Sequence, residues 1–366
     1  MKKSNNVLYY FVSLIIGIII GVTTFISTNS PKSDELLKFN NGDFSIHFLE
    51  LGNKYAGDSI YIKANGIDIL IDAGSRQSSA KTIEEYVNQY CDDNTLEYVV
   101  ATHAHQDHID AFRSTSSIKG IFEYYTCQNI IDFGTASTYV RNGKDPSNCY
   151  NEYIYYRNIE IENGANYIAV SDFNEADFVK EFDLGSGVTM TILDNYYYYN
   201  VETSSNQNNY SVCLLFNIGS DNILLTGDLE GNGEAKLVEN NDLPHCTIFK
   251  AAHHGSYTGS NDVLLDQITP EYVVFTCCAG STEYTDISSN TFPSQDAIDR
   301  IAKHTSKCFV TTLCSNYSDG EFSSMNGNIV FIFGKTEKNI NCSNNYTYLK
   351  DTTWFKENRS TPTNWR

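Results

Sequence analysis

The sequence contains few cationic residues for its size. Its 366 residues include 25 Lys and Arg against 45 Asp and Glu, which gives a formal net charge of −20. A field of that sign repels a polyanion unless a local patch or bound cations override it. The composition therefore disfavours a protein that binds nucleic acids in general. It leaves open that a nucleic acid is the substrate of a local site.

The sequence also lacks any Cys-x-x-Cys pair, because its 10 cysteines are scattered along the chain. Such pairs are typical of thiolate zinc sites and of thioredoxin-type redox motifs, so neither is supported here. A chain this long does not need disulfides to hold its core. The cysteine spacing therefore leaves the disulfide connectivity open.

Hydrophobic residues make up 41% of the chain and aromatic residues 13%, which excludes disorder for most of it. Apolar runs at 44–51, 59–64, 67–71 and 97–102 predict strands, and the spacing of apolar residues in 80–91 predicts an amphipathic helix. The same order recurs in the second half of the chain, whereas the weak periodicity of 124–183 predicts loops, short helices and an insertion. Many strands with few helices indicate an α/β protein with two packed sheets covered by helices.

The N-terminal segment 7–26 is uncharged and mostly apolar, and about 20 such residues can cross a bilayer as a helix. We expect a signal-anchor rather than a cleaved signal peptide, because the run is long and no small-x-small cleavage site follows. Lys2 and Lys3 place residues 1–6 in the cytoplasm. The sequence then predicts a linker at 27–40, a folded domain at 41–340 and a C-terminal extension at 341–366. We therefore expect a single-pass protein of the cell membrane whose main domain is extracytoplasmic.

The strongest chemical signal is Thr102-His103-Ala104-His105-Gln106-Asp107-His108, which directly follows an apolar strand. Side chains alternate along a strand, so His103 and His105 can converge on one metal ion. A turn into the next helix would bring Asp107 and His108 to a neighbouring position. Imidazole and carboxylate ligands suit Zn²⁺, and also Mn²⁺ or Fe²⁺. The run therefore predicts a metal centre.

Together with three later landmarks, this run resembles the motifs of the metallo-β-lactamase superfamily. The landmarks are Asp72 at a strand end, Asp228 in Leu224-Leu225-Thr226-Gly227-Asp228, and the run His253-His254-Gly255-Ser256. The resemblance implies a four-layer αββα sandwich that binds two divalent metal ions, zinc or manganese. It also implies that Asp72 supports the site from behind the ligands. The implied metal ligands are His103, His105, Asp107, His108, Asp228 and His253.

A closer resemblance, over nearly all of 44–334, is to the β-lactamase-like domain of ComEC-type DNA-internalisation proteins. The matching segments are 48–52 with 57–59, 208–212, 250–256 and 326–329. This likeness implies a hydrolase domain that cleaves phosphodiesters, with single-stranded DNA a candidate. The tyrosine runs 153–156 and 196–199 have hardly any cations beside them, which argues against a nuclease groove.

Two features depart from these families. No histidine lies between His108 and His245, so a third imidazole for the first metal is missing. The resemblance implies that Asn208 or Asn209 takes that position, although asparagine is a poor zinc ligand. The second departure is Asn290, which stands where the ComEC-type group commonly has a histidine before its proline.

The implied mechanism uses a metal-bound hydroxide as the nucleophile, because two metals bridged by Asp228 would lower the pKa of a water between them. Asp107 would also act catalytically by orienting the hydroxide and accepting its proton, and His254 would contact the leaving group. Which of His253 and His254 binds metal stays open, since consecutive residues leaving a strand point apart. We expect ordinary structural roles for Lys250, Ser256, His47, His245 and His304.

These observations favour a membrane-anchored, metal-dependent phosphodiesterase that acts on nucleotides, nucleic acid or an envelope phosphodiester. One alternative is a hydrolase of a lactone, thioester or amide bond. Another is a non-catalytic metal-binding surface module. The expected partners are the ester substrate and, through one N-terminal helix, the membrane; the sequence identifies no protein partner.

Overall fold

Two β-sheets form the centre of the protein in a computed structural model, which describes residues 25–27, 43–134, 148–173, 180–200 and 207–366. The first sheet contains β1 (Phe25–Ser27), β2 (Phe44–Phe48), β3 (Ile60–Ala64), β4 (Ile67–Ile71), β5 (Thr95–Ala101), β6 (Thr126–Asp132) and β7 (Asn166–Ala169), with β16 (Ile329–Phe333) and β17 (Lys338–Cys342). The second contains β8 (Lys180–Asp183), β9 (Val188–Ile192), β10 (Leu214–Ile218), β11 (Asp221–Leu225), β12 (Ile248–Lys250), β13 (Tyr272–Ala279), β14 (Cys308–Asn316) and β15 (Glu321–Ser324).

The strand order places the carboxyl ends of several parallel strands at one edge of each sheet. The first sheet runs β1-β17-β16-β2-β3-β4-β5-β6-β7, and the second runs β15-β14-β13-β12-β11-β10-β9-β8. Strands β4 to β7 pair in parallel, as do β11 to β14. Loops that follow these strands therefore gather where α/β proteins commonly bind ligands.

Helices cover the outer faces of the sheets. They are α1 (Ser79–Val87), α2 (Gln106–Ile109), α3 (Ile121–Tyr124), α4 (Asn148–Glu162), α5 (Gly231–Asn240), α6 (Asp262–Ile268), α7 (Gln295–Ile301) and α8 (Thr353–Asn358). One apolar cluster joins inward residues of both sheets, such as Ile62 and Phe216. Two further clusters join the outer face of each sheet to its helices. The arrangement is consistent with the predicted αββα sandwich.

The segment 124–183 differs from its prediction as loops, short helices and an insertion. Its described part contains β6 and β7, which extend the first sheet, and the long helix α4. Tyrosines lie on several sides of α4: Tyr153 is buried, whereas Tyr155 is 62% exposed. Because these aromatic residues are not confined to one stripe, the helix has no clear apolar face in the sequence.

The predicted membrane span 7–26 lies outside the described residues except for Phe25 and Ile26. These two residues form β1 with Ser27, in parallel with β17. Among the helices of the described ranges, none is both long and apolar enough to cross a membrane. At the other end of the chain, β17 runs across the boundary predicted at 340, and Phe355 and Trp365 are buried against the second sheet.

Candidate metal centre

The predicted site residues lie in loops at the carboxyl ends of four parallel strands. Asp72 follows β4, the run 102–108 follows β5, Asp228 follows β11, and the histidine pair 253–254 follows β12. Gly74 allows the first two loops to touch, because a Cβ there would lie 1.6 Å from the carbonyl oxygen of Asp107. The two sheets thus contribute two loops each to one place.

Four imidazoles surround one carboxylate oxygen. Oδ2 of Asp228 lies 3.2 Å from Nε2 of His108 and 3.3 Å from Nε2 of His254. The corresponding distances are 3.7 Å to Nε2 of His253 and 3.9 Å to Nε2 of His103. Asp228 is buried, so this oxygen is shielded from bulk water. The position suits a carboxylate that bridges two ions.

His103 and His105 form the first group of candidate ligands. Nε2 of His103 lies 3.2 Å from Nδ1 of His105, so these two nitrogens can bind one ion. Burial, together with the charges of His108 and His105, lowers the pKa of His103 well below its usual range. His103 is therefore neutral, which is the form that binds metal.

Asp107, His108 and His254 form the second group. Nε2 of His254 lies 3.6 Å from Oδ2 of Asp107, and one ligand atom from each of Asp58, His108, Asp228 and His254 lies within 4.8 Å of the others. Burial opposes ionisation of Asp228, but the charges of His108 and His254 outweigh it and hold its pKa well below its usual range. Burial opposes protonation of His254, but the charges of Asp228 and Asp58 outweigh it and raise its pKa well above its usual range.

A carboxylate stands behind each imidazole of the second group. Oδ2 of Asp72 lies 2.7 Å from Nδ1 of His108, and Oδ1 of Asp58 lies 3.1 Å from Nδ1 of His254. Asp72 also accepts hydrogen bonds from the backbone N and Oγ1 of Thr102, at 2.7 and 2.8 Å. Such partners fix the ring orientation of a metal-binding histidine. Asp72 therefore holds the ring of His108 through Nδ1, and its support of a metal ligand stays a prediction.

The positions of His253 and His254 differ from those predicted. The sequence favoured His253 as the ligand beside Asp107 and His108, with His254 at the leaving group. The structure instead places the fully buried His254 in that group, and the side chain of His253, 21% exposed, at its open side. The reason is the backbone, since left-handed φ values of 50° and 54° turn both rings toward Asp228.

The two asparagines lie beside Glu230, which the sequence analysis did not single out. Nδ2 of Asn208 donates to Oε1 of Glu230 at 2.9 Å, and Oδ1 of Asn209 accepts from the backbone N of Glu230 at 3.2 Å. Both asparagines are buried. Asn208 is thus held by the carboxylate that also contacts His253, with 3.2 Å between Oε1 of Glu230 and Nδ1 of that ring.

Asp58 and Tyr284 also contact residues of the site, and the sequence analysis did not identify either of them as a site residue. Asp58 was noted only as part of a strand pair, yet its Oδ2 lies 2.5 Å from the buried ammonium of Lys250. Tyr284, in the loop after β13, donates from its hydroxyl to Oδ2 of Asp107 at 2.7 Å. A tertiary contact of this kind leaves no local sequence pattern.

The donor set fits divalent metal ions. Within the described residues, Nε2 of His108, Nε2 of His254 and Oδ1 of Asp228 are buried without a hydrogen-bond partner. Four buried carboxylates, Asp58, Asp72, Asp107 and Asp228, also attract positive charge, and Asp228 with Asp72 raises the pKa of His108 to about 10 despite its burial. Mixed imidazole and carboxylate ligands suit zinc or manganese.

A family model described as the metallo-beta-lactamase superfamily matches residues 52–112. The solved structures similar to this chain include the metallo-β-lactamase fold protein YhfI from Bacillus subtilis, which is 12% identical with a TM-score of 0.43 over 74% of this chain and 96% of that one. CmlA, a diiron β-hydroxylase from Streptomyces venezuelae, is 12% identical with a TM-score of 0.36 over 72% of this chain and 48% of that one. A metallo-β-lactamase from Hirschia baltica is 13% identical with a TM-score of 0.28 over 56% of this chain and 83% of that one.

No curated protein sequence matches the chain. The matched segment 52–112 contains Asp58, Asp72 and the whole histidine run, and so covers the part of the site that the first sheet contributes. The similarity to the metallo-β-lactamase superfamily is thus shown for this segment of the chain.

Proposed function

We propose that this protein is a metal-dependent phosphodiesterase, as its ComEC-like sequence segments suggest. The observation that carries the proposal is the convergence of four imidazoles on Oδ2 of Asp228, at distances from 3.2 to 3.9 Å. A structural core has no need for such a set of buried, polar and incompletely hydrogen-bonded groups.

The residues divide into two binding sets that share Asp228. His103 and His105 would hold one ion, and Asp107, His108 and His254 would hold the other. A pair of divalent ions held there would supply an acidified water and charge stabilisation for a phosphoryl oxygen. The chain supplies the orientation, because Asp72 and Asp58 fix the rings of His108 and His254.

Asp107 and Tyr284 lie where a substrate would contact the protein. Tyr284 is 56% exposed, and its ring centroid lies 5.6 Å from that of Phe292, which in turn neighbours the rings of His253 and His254. Its hydroxyl can donate to a substrate oxygen as readily as to Asp107. Asp107, oriented by Tyr284 and His254, is placed to accept a proton.

A cation–aromatic patch beside the site, formed by Lys54, Tyr55, Arg76 and Tyr317, favours an anionic substrate. The Arg76 guanidinium lies 3.9 Å from the ring centroid of Tyr55, and the Lys54 ammonium lies 4.2 Å from that of Tyr317. Arg76 also pairs with Glu283, the residue before Tyr284, at 2.5 Å. The sequence analysis found hardly any cations beside the two tyrosine runs; this patch lies elsewhere, and Arg76 and Tyr317 reach Lys54 and Tyr55 from distant parts of the chain.

Parallel assays test this proposal. The full chain in a mild detergent is supplied with Zn²⁺ or Mn²⁺ and given bis-p-nitrophenyl phosphate, single-stranded DNA and a lactone. We expect turnover of the phosphodiesters that a chelator abolishes, and no turnover by an Asp107→Ala variant. Turnover of the lactone alone would replace the phosphodiesterase with the alternative hydrolase. Binding of fewer than one metal ion per chain would leave only a binding module.

The location proposed for this activity is the outer face of the cell membrane. The support is the uncharged apolar segment 7–26 with Lys2 and Lys3 before it. Protease treatment of intact cells tests this topology. We expect the domain to be cleaved while a tag placed before residue 7 is protected, whereas protection of both would contradict the proposal.

A further inference from the structure

We propose that His253 supplies the third imidazole of the first metal site, together with His103 and His105. This inference rests on the metal centre of the proposed function and assigns a ligand within it. The sequence had given the position to Asn208 or Asn209 and had placed His253 in the other site. The contacts of His253 on both sides of its ring carry the new assignment.

On the inner side, His253 approaches the shared carboxylate. Its Nε2 lies 3.7 Å from Oδ2 of Asp228, close to the 3.9 Å that separates the same oxygen from Nε2 of His103. The second site already has the imidazoles of His108 and His254, at 3.2 and 3.3 Å from that oxygen. The second site also has the carboxylate of Asp107, 3.6 Å from Nε2 of His254. The first site has only the two histidines of the β5 loop besides Asp228, so it is the one with room for a further ligand.

On the outer side, a carboxylate and a hydroxyl hold the ring of His253. Its Nδ1 lies 3.2 Å from Oε1 of Glu230 and 3.0 Å from Oγ1 of Thr258. A carboxylate accepts hydrogen bonds, so it favours the tautomer that has the proton on Nδ1. The lone pair of Nε2 then faces the site. This carboxylate–histidine arrangement matches that of Asp72 with His108 and of Asp58 with His254.

Asn208 belongs to the support of His253. Its Nδ2 donates to Oε1 of Glu230 at 2.9 Å and lies 3.5 Å from Nδ1 of His253. Asn208 and Thr258 therefore hold the same carboxylate oxygen that contacts the imidazole, since Oγ1 of Thr258 also donates to Oε1 of Glu230 at 3.1 Å. Through its Nδ2, Asn208 thus acts as a positioning residue for His253.

The backbone is built to present both histidines. In an extended chain His253 and His254 would point apart, but their φ values of 50° and 54° lie in the left-handed region that residues with a Cβ rarely adopt. The turn is closed by a hydrogen bond of 2.7 Å from the backbone N of Ser256 to the carbonyl of His253. The backbone N of His253 also donates to the carbonyl of Gly227, the neighbour of Asp228, at 3.2 Å. Conformational strain of this kind is common at functional sites.

Metal counting on the full chain tests the assignment without an activity assay. The protein is stripped with a chelator, titrated with Zn²⁺ and analysed for bound metal after dialysis, with circular dichroism to verify folding. We expect two ions in the unsubstituted chain and one in His253→Gln. The double variant His103→Gln/His253→Gln should still hold one ion, because both changes affect one site. His253→Gln/His254→Gln should hold none. The surface variant His245→Gln is the control and should hold two.

Several results would overturn the assignment. If His253→Gln still binds two ions, the assignment is contradicted while the proposed function stands. The same holds if His103→Gln/His253→Gln binds no ion and His253→Gln/His254→Gln binds one, because His253 would then belong to the second site. No ion in the unsubstituted chain would overturn the proposed function as well. If His253→Gln does not fold, Glu230→Gln replaces it, and we expect about 10–100-fold weaker binding of one ion with the other unchanged. Unchanged binding of both ions in that variant would also contradict the assignment.

Discussion

Oδ1 of Asp58 lies 3.1 Å from Nδ1 of His254, although the two residues belong to loops of different sheets. The other oxygen of Asp58 lies 2.5 Å from Nζ of Lys250, which is itself 3.6 Å from Oδ1 of Asp228. All four residues are buried. One carboxylate therefore orients a candidate ligand and neutralises a buried ammonium, and it joins the two halves of the domain at the metal centre.

The first prediction concerns this ion pair. Asp58→Asn leaves the Lys250 ammonium buried without its closest carboxylate, and we expect the free energy of unfolding of the metal-free chain to fall by about 3–5 kcal/mol. Urea unfolding followed by circular dichroism measures the change. Adding Lys250→Met should recover part of the loss, because the unpaired charge is then removed. A loss below about 1 kcal/mol in the single variant would show that the pair does not hold the sheets together.

The second prediction concerns Asp107, whose removal should abolish catalysis while the fold is retained. Its side chain is 12% exposed, and its carboxylate contacts polar groups of the site, Nε2 of His254 and the hydroxyl of Tyr284. For Asp107→Ala we expect at least about a hundredfold lower kcat/KM for bis-p-nitrophenyl phosphate, because one ion loses a ligand and the reaction loses its proton acceptor. The circular dichroism spectrum should be unchanged. Activity within tenfold of the original would contradict the assigned role.

The third prediction concerns the phenol that touches Asp107. Tyr284→Phe removes one hydroxyl and leaves the ring against Phe292. A hydrogen bond to a charged group contributes about 1.5–3 kcal/mol, so kcat/KM should fall roughly 10–100-fold if that hydroxyl also serves the substrate. Metal content should not change. Tyr155→Phe, at a 62% exposed position on α4, is the control with unchanged kinetics. Equal rates in the two variants would remove Tyr284 from the reaction.

The fourth prediction concerns the pH dependence of stability. Burial, aided by the charge of Lys63, lowers the pKa of His47 to about 3. The imidazole is protonated near pH 6.5 in the unfolded chain but not in the folded chain. The contribution of neutral His47 to the free energy of unfolding is therefore full above pH 6.5 and is lost as the pH falls toward 3. We expect about 1.4 kcal/mol of lost stability per pH unit below 6.5 from this group.

Urea unfolding at pH 7 and pH 5 measures this effect on the metal-depleted chain, because metal binding has a pH dependence of its own. His47→Gln should lose less stability than the unsubstituted chain between the two pH values. The contacts of His47 with Tyr86 and Ser45, at 2.8 and 2.9 Å, lie away from the metal centre and isolate the effect. Equal losses in both proteins would show that His47 is protonated in the folded state.

Local periodicity predicted much of the fold. The apolar runs of β4 and β5 are visible in the sequence, and the ends of both strands are continuously buried; the apolar spacing of Ile83 and Val87 in α1 is visible as well. Helix α1 ends at Val87, whereas the prediction extended it to residue 91. The apolar spacing continues past the helix end because Tyr90, in the turn that follows, is also buried. The segment 124–183 was placed poorly, since its helix α4 has aromatic residues on several sides.

The sequence by itself determined which residues are candidates for a metal centre. His103, His105, Asp107 and His108 are separated by so few residues that a strand end followed by one turn of helix brings them together whatever the rest of the chain does. Asp72 and Asp228 were identified through the resemblance to the metallo-β-lactamase superfamily, and they meet in the structure because each follows one of the parallel strands.

Only the tertiary structure decided how the remaining groups meet. The left-handed turn at His253 and His254 directs both rings toward Asp228, whereas strand alternation predicts that they point apart. Asp58, Glu230 and Tyr284 reach the site through contacts between loops that are distant in the chain. Local patterns follow from the geometry of one element, whereas these contacts depend on how two sheets pack, and that packing is a property of the whole chain.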